Sequence, residues 1–572
     1  MKQLDLKYLR SQIVGINRCI ETPFGQRLMT YADYTASGRC LHFVEDYLAS
    51  LEEMYANSHT EDDTSGRVTT QLLHQAEARI KQSVNAGETG RIIACGTGAT
   101  AAIDRMQQIV GVKLSSASRL NLDGLLEGFL GAERMQAFGS YRSSHQPVVF
   151  VGPYEHHSNE ISWREGMATV VEVRLTDQGE IDLADLETLL QLPEYRNRLR
   201  IGSFSAASNV TGMRSPVSEI ARLLHRYDAL AFFDYAACAP YVDIDMNPGS
   251  DPEASLDAIF ISPHKFLGGP GSSGILVFNA RCYQDQIAPS IAGGGTVDYV
   301  GPDDHDFIAD IEIRESAGTP GILQTLKAAL AFEIKSAVGG ETIGRREHEM
   351  TALAFQRWSQ HPHIEILGNQ DPEKRISIIS FNIRGEKGQY LHPRFITRLL
   401  DDLFGIQTRA GCSCAGPYGH RLLGIGVERA DEYRHWINKG FNGIKPGWCR
   451  LGFHYAFDQA EVEFIIEAIE FVATYGHRLS DLYRFDPHTG LWRHAQAIDP
   501  DVRFSLDEAV TPVKATANTL GDTERQGLYR EYMAYARQLV GSLAVDTDEG
   551  QLMMDQELGD LQFFELREKN LS

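Results

Sequence analysis

The stretch "SPHKFLGGPG", residues 262–271, sets a lysine directly after a histidine and follows the pair with glycines and a proline. A lone surface lysine needs no such surroundings. Glycines at this place let the backbone turn tightly where something comes close. The preceding run, "DAIFISPH" (257–264), is apolar and strand-like, so Lys265 stands at the end of a buried strand. A lysine that forms an imine needs a site that lowers its pKa, and a crevice at the end of a sheet supplies one. Without its context, Lys265 reads as a surface lysine at a strand end.

The context extends in both directions. Strand-like runs stand at 91–95, 147–153, 169–175, 199–208, 230–236 and 274–278, and helical periodicity at 67–84, 99–112, 183–192 and 218–229. Near-continuous apolar strands separated by helices predict an α/β fold, a mainly parallel sheet covered on both faces. Ligands of such sheets sit at the carboxyl ends of the strands. Thr97, His156, Asn209, Asp234 and His264-Lys265 all fall at those ends. A long helix is expected over 315–340, and 341–475 changes to an α+β pattern. The expected organisation is an N-terminal segment (1–66) contributing to the small domain and the pocket, a large domain (67–330), a small α+β domain (331–478) and a C-terminal extension (479–572) to which no chemistry is assigned.

Bulk properties narrow the class. The chain has 572 residues, a formal net charge of −23, 43% hydrophobic and 23% charged residues. That length asks for more than one domain. The negative charge argues against nucleic acid or an anionic membrane surface as the main partner. No run of apolar residues is long enough for a membrane helix, and the N-terminal residues lack the apolar core of a signal peptide. The eight cysteines are scattered, which does not suggest a disulfide scaffold, and a reducing cytoplasm is the expected setting.

Asp234, in "AFFDYAACAP" (231–240), ends an apolar strand, where a buried carboxylate needs a positive partner or a role as a turn cap. The Gly96-Thr97-Gly98 turn links a strand to a helix, where backbone N–H groups bind phosphate. Either feature alone is unspecific.

Together these pieces give a resemblance. "SPHKFLGGPGSSGIL" (262–276), "SNVTG" (208–212), "FFDYA" (232–236) and "YEHHSNEISW" (154–163) resemble class V aminotransferase-fold enzymes that use pyridoxal phosphate, and among them the cysteine desulfurase and selenocysteine lyase branch. The resemblance spans residues 25–475. It implies the pyridoxal-phosphate-dependent transferase fold type I, with a seven-stranded, mainly parallel sheet in the large domain.

The resemblance also implies roles. Lys265 would anchor the cofactor covalently and shuttle the substrate's proton. His156, rather than His157, would stack on the ring. Asn209 would reach the ring's O3′ side, and Asp234 would pair with the ring nitrogen and keep it protonated. Thr97, Gly98, Ser262 and His264 would hold the phosphate. Thr319, in "SAGTPG" (316–321), would reach a phosphate across a homodimer interface. Arg450, in "CRLGF" (449–453), would clamp the substrate carboxylate with its planar fork. "YADYTASG" (31–38) and "YANSHT" (55–60) would place Ala36, Ser37 and His59 at the pocket.

"TRAGCSCAGP" (408–417) fits the desulfurase loop, with Cys414 as the nucleophile that takes sulfur as a persulfide and Arg409 nearby to favour its thiolate. Read without the resemblance, it is a structural thiol pair or half of a metal site. No second Cys/His pair stands at zinc-like spacing, so no metal is expected. Cys412 has no counterpart in the simplest form of the pattern. Ala237 stands where desulfurases usually carry a glutamine against the cofactor's phenolic oxygen.

The implied activity removes sulfur or selenium from L-cysteine or selenocysteine, giving alanine and a Cys414 persulfide, with a possible sulfur-acceptor protein as partner. A C–S lyase, epimerase or aminotransferase on another amino acid is the alternative that Ala237 motivates.

Overall fold

The computed structural model describes residues 4–58, 60, 62–385, 388–496, 520–543, 552, 554 and 556–570. The chain divides into two compact units. One comprises Met1–Asp5, Ala36–Gly344 and Lys374–Ile376, the other Leu6–Thr35, Arg345–Glu373 and Ser377–Ser572.

The first unit is built on seven strands: β1 (Gly90–Cys95), β2 (Val148–Val151), β3 (Thr169–Glu172), β4 (Arg200–Ser205), β5 (Leu230–Asp234), β6 (Ala258–Ile261) and β7 (Gly274–Asn279). Their spatial order is β1-β7-β6-β5-β4-β2-β3. Only β7 runs antiparallel to its neighbours. The seven-stranded, mainly parallel sheet expected from the resemblance is therefore present. Strands β2, β4 and β6 are buried at every residue, which is why they read as unbroken apolar runs rather than alternating ones. Ala102, Ile103 and Met106 of helix Gly98–Ile109 pack with Ile93, Val151, Phe232, Phe260 and Leu276 of the sheet. This burial fixes the helix that begins just after β1.

Two expectations change. The helix expected over 315–340 begins only at Ile322 and ends at Val338. Gly318 has φ +76°, and Pro320-Gly321 follows, so the "SAGTPG" segment is a loop. Residues 116–145, unassigned from periodicity, form helices Ser116–Leu130 and Ala132–His145, neither of which buries a residue.

The second unit carries a four-stranded antiparallel sheet in the order Ile364–Ile366, Ile378–Ile383, Trp448–Gly452, Arg409–Gly411. Helices Pro393–Phe404 and Gln459–Leu479 accompany it. The two-residue strand Thr30–Tyr31 pairs in parallel with Ile406–Gln407. From the C-terminal region, a hairpin (Tyr483–Asp486, Leu491–His494) and helix Asp522–Ser542 belong to this unit, the helix stacking Tyr529 on Phe464 with ring centroids 4.3 Å apart. Among the described residues, no helix is long and apolar enough to cross a membrane.

The motif that opened the sequence folds as a short 3₁₀ turn, Pro263–Lys265, followed by a buried return of the chain. A Cβ added at Gly269 would lie 1.9 Å from the carbonyl oxygen of Pro263. Gly269→Ala is therefore expected to lower stability by about 1–3 kcal/mol through forced backbone displacement. An unchanged thermal unfolding midpoint would contradict this packing.

Candidate active site

The carboxyl ends of β1, β2, β4, β5 and β6 lead into one cavity of ≈ 180 Å³ in the first unit. Thr97, His156, Asn209, Asp234, Ser262, His264 and Lys265 line it. Seven residues singled out from the sequence thus meet in one place.

Asp234 is the last residue of β5 and 4% exposed. Its Oδ1 accepts the N–H of Ala236 at 2.8 Å. Burial pushes its pKa above the usual carboxylate range, while the Ala236 N–H and the charge of Lys265 pull it back down. A carboxylate desolvated in this way and facing a cavity calls for a cation.

At another wall of the cavity, Thr97 is the residue before helix Gly98–Ile109. Gly98 has φ +62°, and a Cβ there would lie 2.9 Å from both His264 Cε1 and Ser262 Oγ. The Ala99 N–H donates to Ser262 Oγ at 2.9 Å. The backbone therefore comes close to the side chains that follow β6, as an anion cradle requires. Burial, assisted by the charge of Lys265, pushes the His264 pKa down to about 4. The ring is neutral near pH 7 and acts as a hydrogen-bonding group rather than a cation.

His156 is held by its neighbour. The Ser158 N–H donates to His156 Nδ1 at 3.1 Å, so that nitrogen bears no proton and Nε2 does. Ser158 Oγ in turn lies 2.7 Å from Thr100 Oγ1. Thr100 and Ser158 line the cavity and were not singled out from the sequence. Ala237 lines it too.

Of the other expected site residues, Ser37 contacts the loop rather than the cavity, its Oγ lying 3.5 Å from the carbonyl oxygen of His264. Ala36 is half-buried and outside the cavity lining. Thr319 is exposed, with its Oγ1 accepting from Asn57 Nδ2 at 3.3 Å. His59 lies outside the described residues.

Sequence reading missed Glu155, which precedes His156. It is 3% exposed. Its Oε1 accepts the N–H groups of Gly152 (3.1 Å) and Ser205 (2.8 Å). Its Oε2 accepts from Ser205 Oγ (2.6 Å) and Asn159 Nδ2 (2.7 Å). The carboxyl thus ties the end of β2 to the end of β4 and fixes the chain that carries His156. Burial raises its pKa to about 7, and the charge of Asp234 adds to that. A glutamate standing between a strand end and a histidine was the available signal.

The second unit gathers a second group. Arg450, with a 3% exposed side chain, donates from a terminal nitrogen to Asp33 Oδ1 at 3.0 Å. Arg409 Nε pairs with Asp33 Oδ2 at 3.1 Å. Burial lowers the Arg450 pKa, Asp33 raises it, and the charge of Arg409 lowers it again. Cys412 and Cys414 are exposed, and all eight cysteines are free thiols. Ser413 and Cys414 have φ +50° and +57°, a left-handed pair that side chains rarely adopt and that stores strain in this loop. Among the described residues, no cluster of three metal-ligating side chains occurs.

A mainly parallel α/β sheet with a lysine and a buried aspartate facing a strand-end cavity defines an enzyme of the fold type I class. The profile of the class-V aminotransferase family matches residues 140–465, and the chain belongs to that family. It is 27% identical over 424 residues to a "probable cysteine desulfurase" of Halalkalibacterium halodurans, covering 73% of this chain and 92% of that one. It is 30% identical over 360 residues to "probable cysteine desulfurase 2" of Mycobacterium leprae, covering 62% and 78%. The fold is similar to that of a cysteine desulfurase from Thermococcus onnurineus, with a TM-score of 0.62 at 19% identity, covering 83% of this chain and all of that one. A cysteine desulfurase of Escherichia coli gives 0.60 at 18% identity over 82% and 98%.

Glu155 yields a pH-dependent prediction. A carboxyl whose folded pKa is about 7 against an ordinary 4.5 binds its proton better in the folded state. Its contribution to stability is full below pH 4.5 and is lost as the pH rises through 7. The stability of the wild type relative to Glu155→Gln is expected to fall by about 1–3 kcal/mol across that window. Unfolding midpoints of the two proteins, measured from pH 4.5 to 8, check this. A relative stability that rises with pH would contradict a buried, proton-holding Glu155.

Proposed function

We propose that the protein is a pyridoxal-phosphate-dependent desulfurase that converts L-cysteine to alanine and leaves the sulfur on Cys414 as a persulfide. The observation that carries the reading is the cavity that Lys265 and Asp234 share at the strand ends.

The residues present fit the cofactor on two counts. The buried Asp234 carboxylate matches a protonated ring nitrogen, which returns the charge partner that its burial calls for. Thr97, Ser262 and His264 line the cavity where helix Gly98–Ile109 begins, and polar side chains beside a helix N-terminus suit a phosphate. When bound, the cofactor supplies an electron sink for the pair left on the substrate Cα.

The remaining chemistry belongs to the chain. Arg450 binds the substrate carboxylate through its guanidinium. His156, its orientation set by Ser158, packs against the cofactor ring. Lys265 Nζ takes the proton from Cα. The Cys414 thiolate attacks the substrate sulfur, an S–S bond forms as the C–S bond breaks, and the departing carbon is protonated to alanine. An external thiol then accepts the persulfide sulfur and frees Cys414 for another cycle. Selenocysteine is a second candidate substrate. Thr319 would reach a phosphate in a partner subunit, so a homodimer is part of this reading.

Ala237 in the cavity lining favours one other reading, a C–S lyase. That activity gives pyruvate and ammonia with the sulfide, and it needs no thiol nucleophile. Incubation with L-cysteine and a thiol reductant is expected to yield alanine and sulfide in equal amounts over many turnovers. Cys414→Ala is expected to cut alanine formation by about 100-fold or more while the cofactor stays bound. Sulfide accompanied by pyruvate, with Cys414→Ala fully active, would contradict the desulfurase.

Light scattering supplies a separate check. A mass of twice the chain's is expected, and a monomer at all concentrations would remove the role given to Thr319.

A further inference from the structure

The second unit holds a cavity of ≈ 530 Å³ that shares no lining residue with the cavity at the strand ends. One wall is helix Pro393–Phe404. Arg394, Thr397, Arg398 and Asp401 line the cavity at spacings of three and four residues, so they form one polar stripe of that helix. Phe395, Ile396, Leu399 and Leu400, on its other side, are buried. Another wall is the hairpin of the C-terminal extension, through Leu491, Trp492 and Arg493. Trp492 is 5% exposed and packs on Phe395 and Phe485, with ring centroids 5.0 and 4.9 Å apart. Tyr483 of the same hairpin donates its hydroxyl to Asp402 Oδ2 at 3.0 Å. These contacts hold the hairpin to the helix, so the cavity is already formed.

The charges on its walls do not cancel. Arg398 forms a fork with Asp402, its Nε 2.8 Å from Oδ2 and its Nη2 2.7 Å from Oδ1. Asp33 also lines the cavity, and its two oxygens are engaged by Arg409 and Arg450. Asp401 is hydrogen-bonded by Gln407 and held by the charge of Arg398. Arg394 and Arg493 remain. Arg394 donates to the carbonyl oxygen of Thr489 at 2.6 Å, a neutral acceptor. Arg493 is exposed and stands directly opposite Arg484 in the hairpin, where like charges repel. Asp486 of the hairpin accepts from the His488 N–H and the Thr489 hydroxyl. Among the described residues, no carboxylate pairs with Arg394, Arg484 or Arg493.

We propose that this cavity binds a small organic phosphate monoester, with its phosphate on Arg394 and Arg493 and its body between the helix and the hairpin. Guanidinium forks match phosphate oxygens. The volume exceeds what a bare phosphate needs and falls in the range of small-molecule sites. Trp492 and Leu491 offer the body an apolar surface, and the Thr397 and Thr408 hydroxyls offer it polar contacts. Asp33 and Asp401 decide between kinds of anion. A second anionic group placed away from the two arginines would meet their like charge. A monoester gathers its charge in one group, whereas a dicarboxylate spreads it.

Calorimetric titration of the full chain, carrying its cofactor and freed of any excess, tests this with ribose 5-phosphate and adenosine 5′-monophosphate as probes. At least one of them is expected to bind at one equivalent per chain with a Kd of about 1 mM or tighter. Added salt is expected to weaken that binding. Inorganic phosphate and adenosine are each expected to bind about tenfold more weakly than the better ester, or less. Arg493→Gln, a change at an exposed side chain, is expected to weaken the ester about tenfold, and Arg394→Gln to do the same. Ser262→Ala, in the strand-end cavity, is expected to leave the affinity within about threefold.

Failure of both esters to bind up to about 10 mM would overturn the proposal. So would an affinity that neither arginine variant changes, or one lost in Ser262→Ala, which would move the phosphate to the strand-end cavity. Inorganic phosphate binding as tightly as both esters would overturn the place given to an organic body. None of these readouts uses cysteine turnover, so the result stands apart from the desulfurase reading.

Discussion

A carboxylate buried at the end of a parallel strand is unstable unless a positive charge stands in front of it, and Asp234 is in that position. Ala236 provides one hydrogen bond, and Lys265 provides charge. The cavity between them is the remaining place from which a cation can approach. Much of the first unit exists to hold this arrangement. The buried strands β4, β5 and β6 fix where Asp234 and Lys265 emerge, and the packing of helix Gly98–Ile109 against the sheet fixes the wall opposite. The glycines after Lys265 have a plain cause. Gly269 lets the chain fold back over Pro263 at a distance that a Cβ would forbid, while Gly268 and Gly271 adopt positive φ (+80° and +92°).

The same electrostatic logic recurs with opposite sign in the second unit. There two cations face each other across a strand pair and one anion sits between them. Both arrangements are set by backbone register rather than by flexible side chains reaching across a surface, which is what a site with fixed geometry needs.

Much of the sheet and cavity was legible because each depends on local pattern. Apolar runs between helical stretches mark a parallel sheet, and the polar residues at the run ends point to its carboxyl edge. Asp234, Lys265, His156 and Asn209 could be found on that basis together with the family resemblance. Glu155 and Asp33 could not, since their roles depend on partners distant in sequence: Ser205 for one, Arg409 and Arg450 for the other. Helices Ser116–Leu130 and Ala132–His145 escaped because they bury nothing, and periodicity records burial. The "SAGTPG" loop was absorbed into a helix because the apolar pattern that follows it outweighed a glycine at positive φ and a proline.

The central claim is that Lys265 holds pyridoxal phosphate in the cavity that it shares with Asp234. Borohydride reduction of the cofactor-loaded protein, followed by peptide mass mapping, tests it most directly. The account predicts a phosphopyridoxyl group on the peptide containing Lys265 and its absence from Lys265→Ala. A modification confined to another lysine, or a Lys265→Ala protein that is still labelled to the same extent, would contradict it.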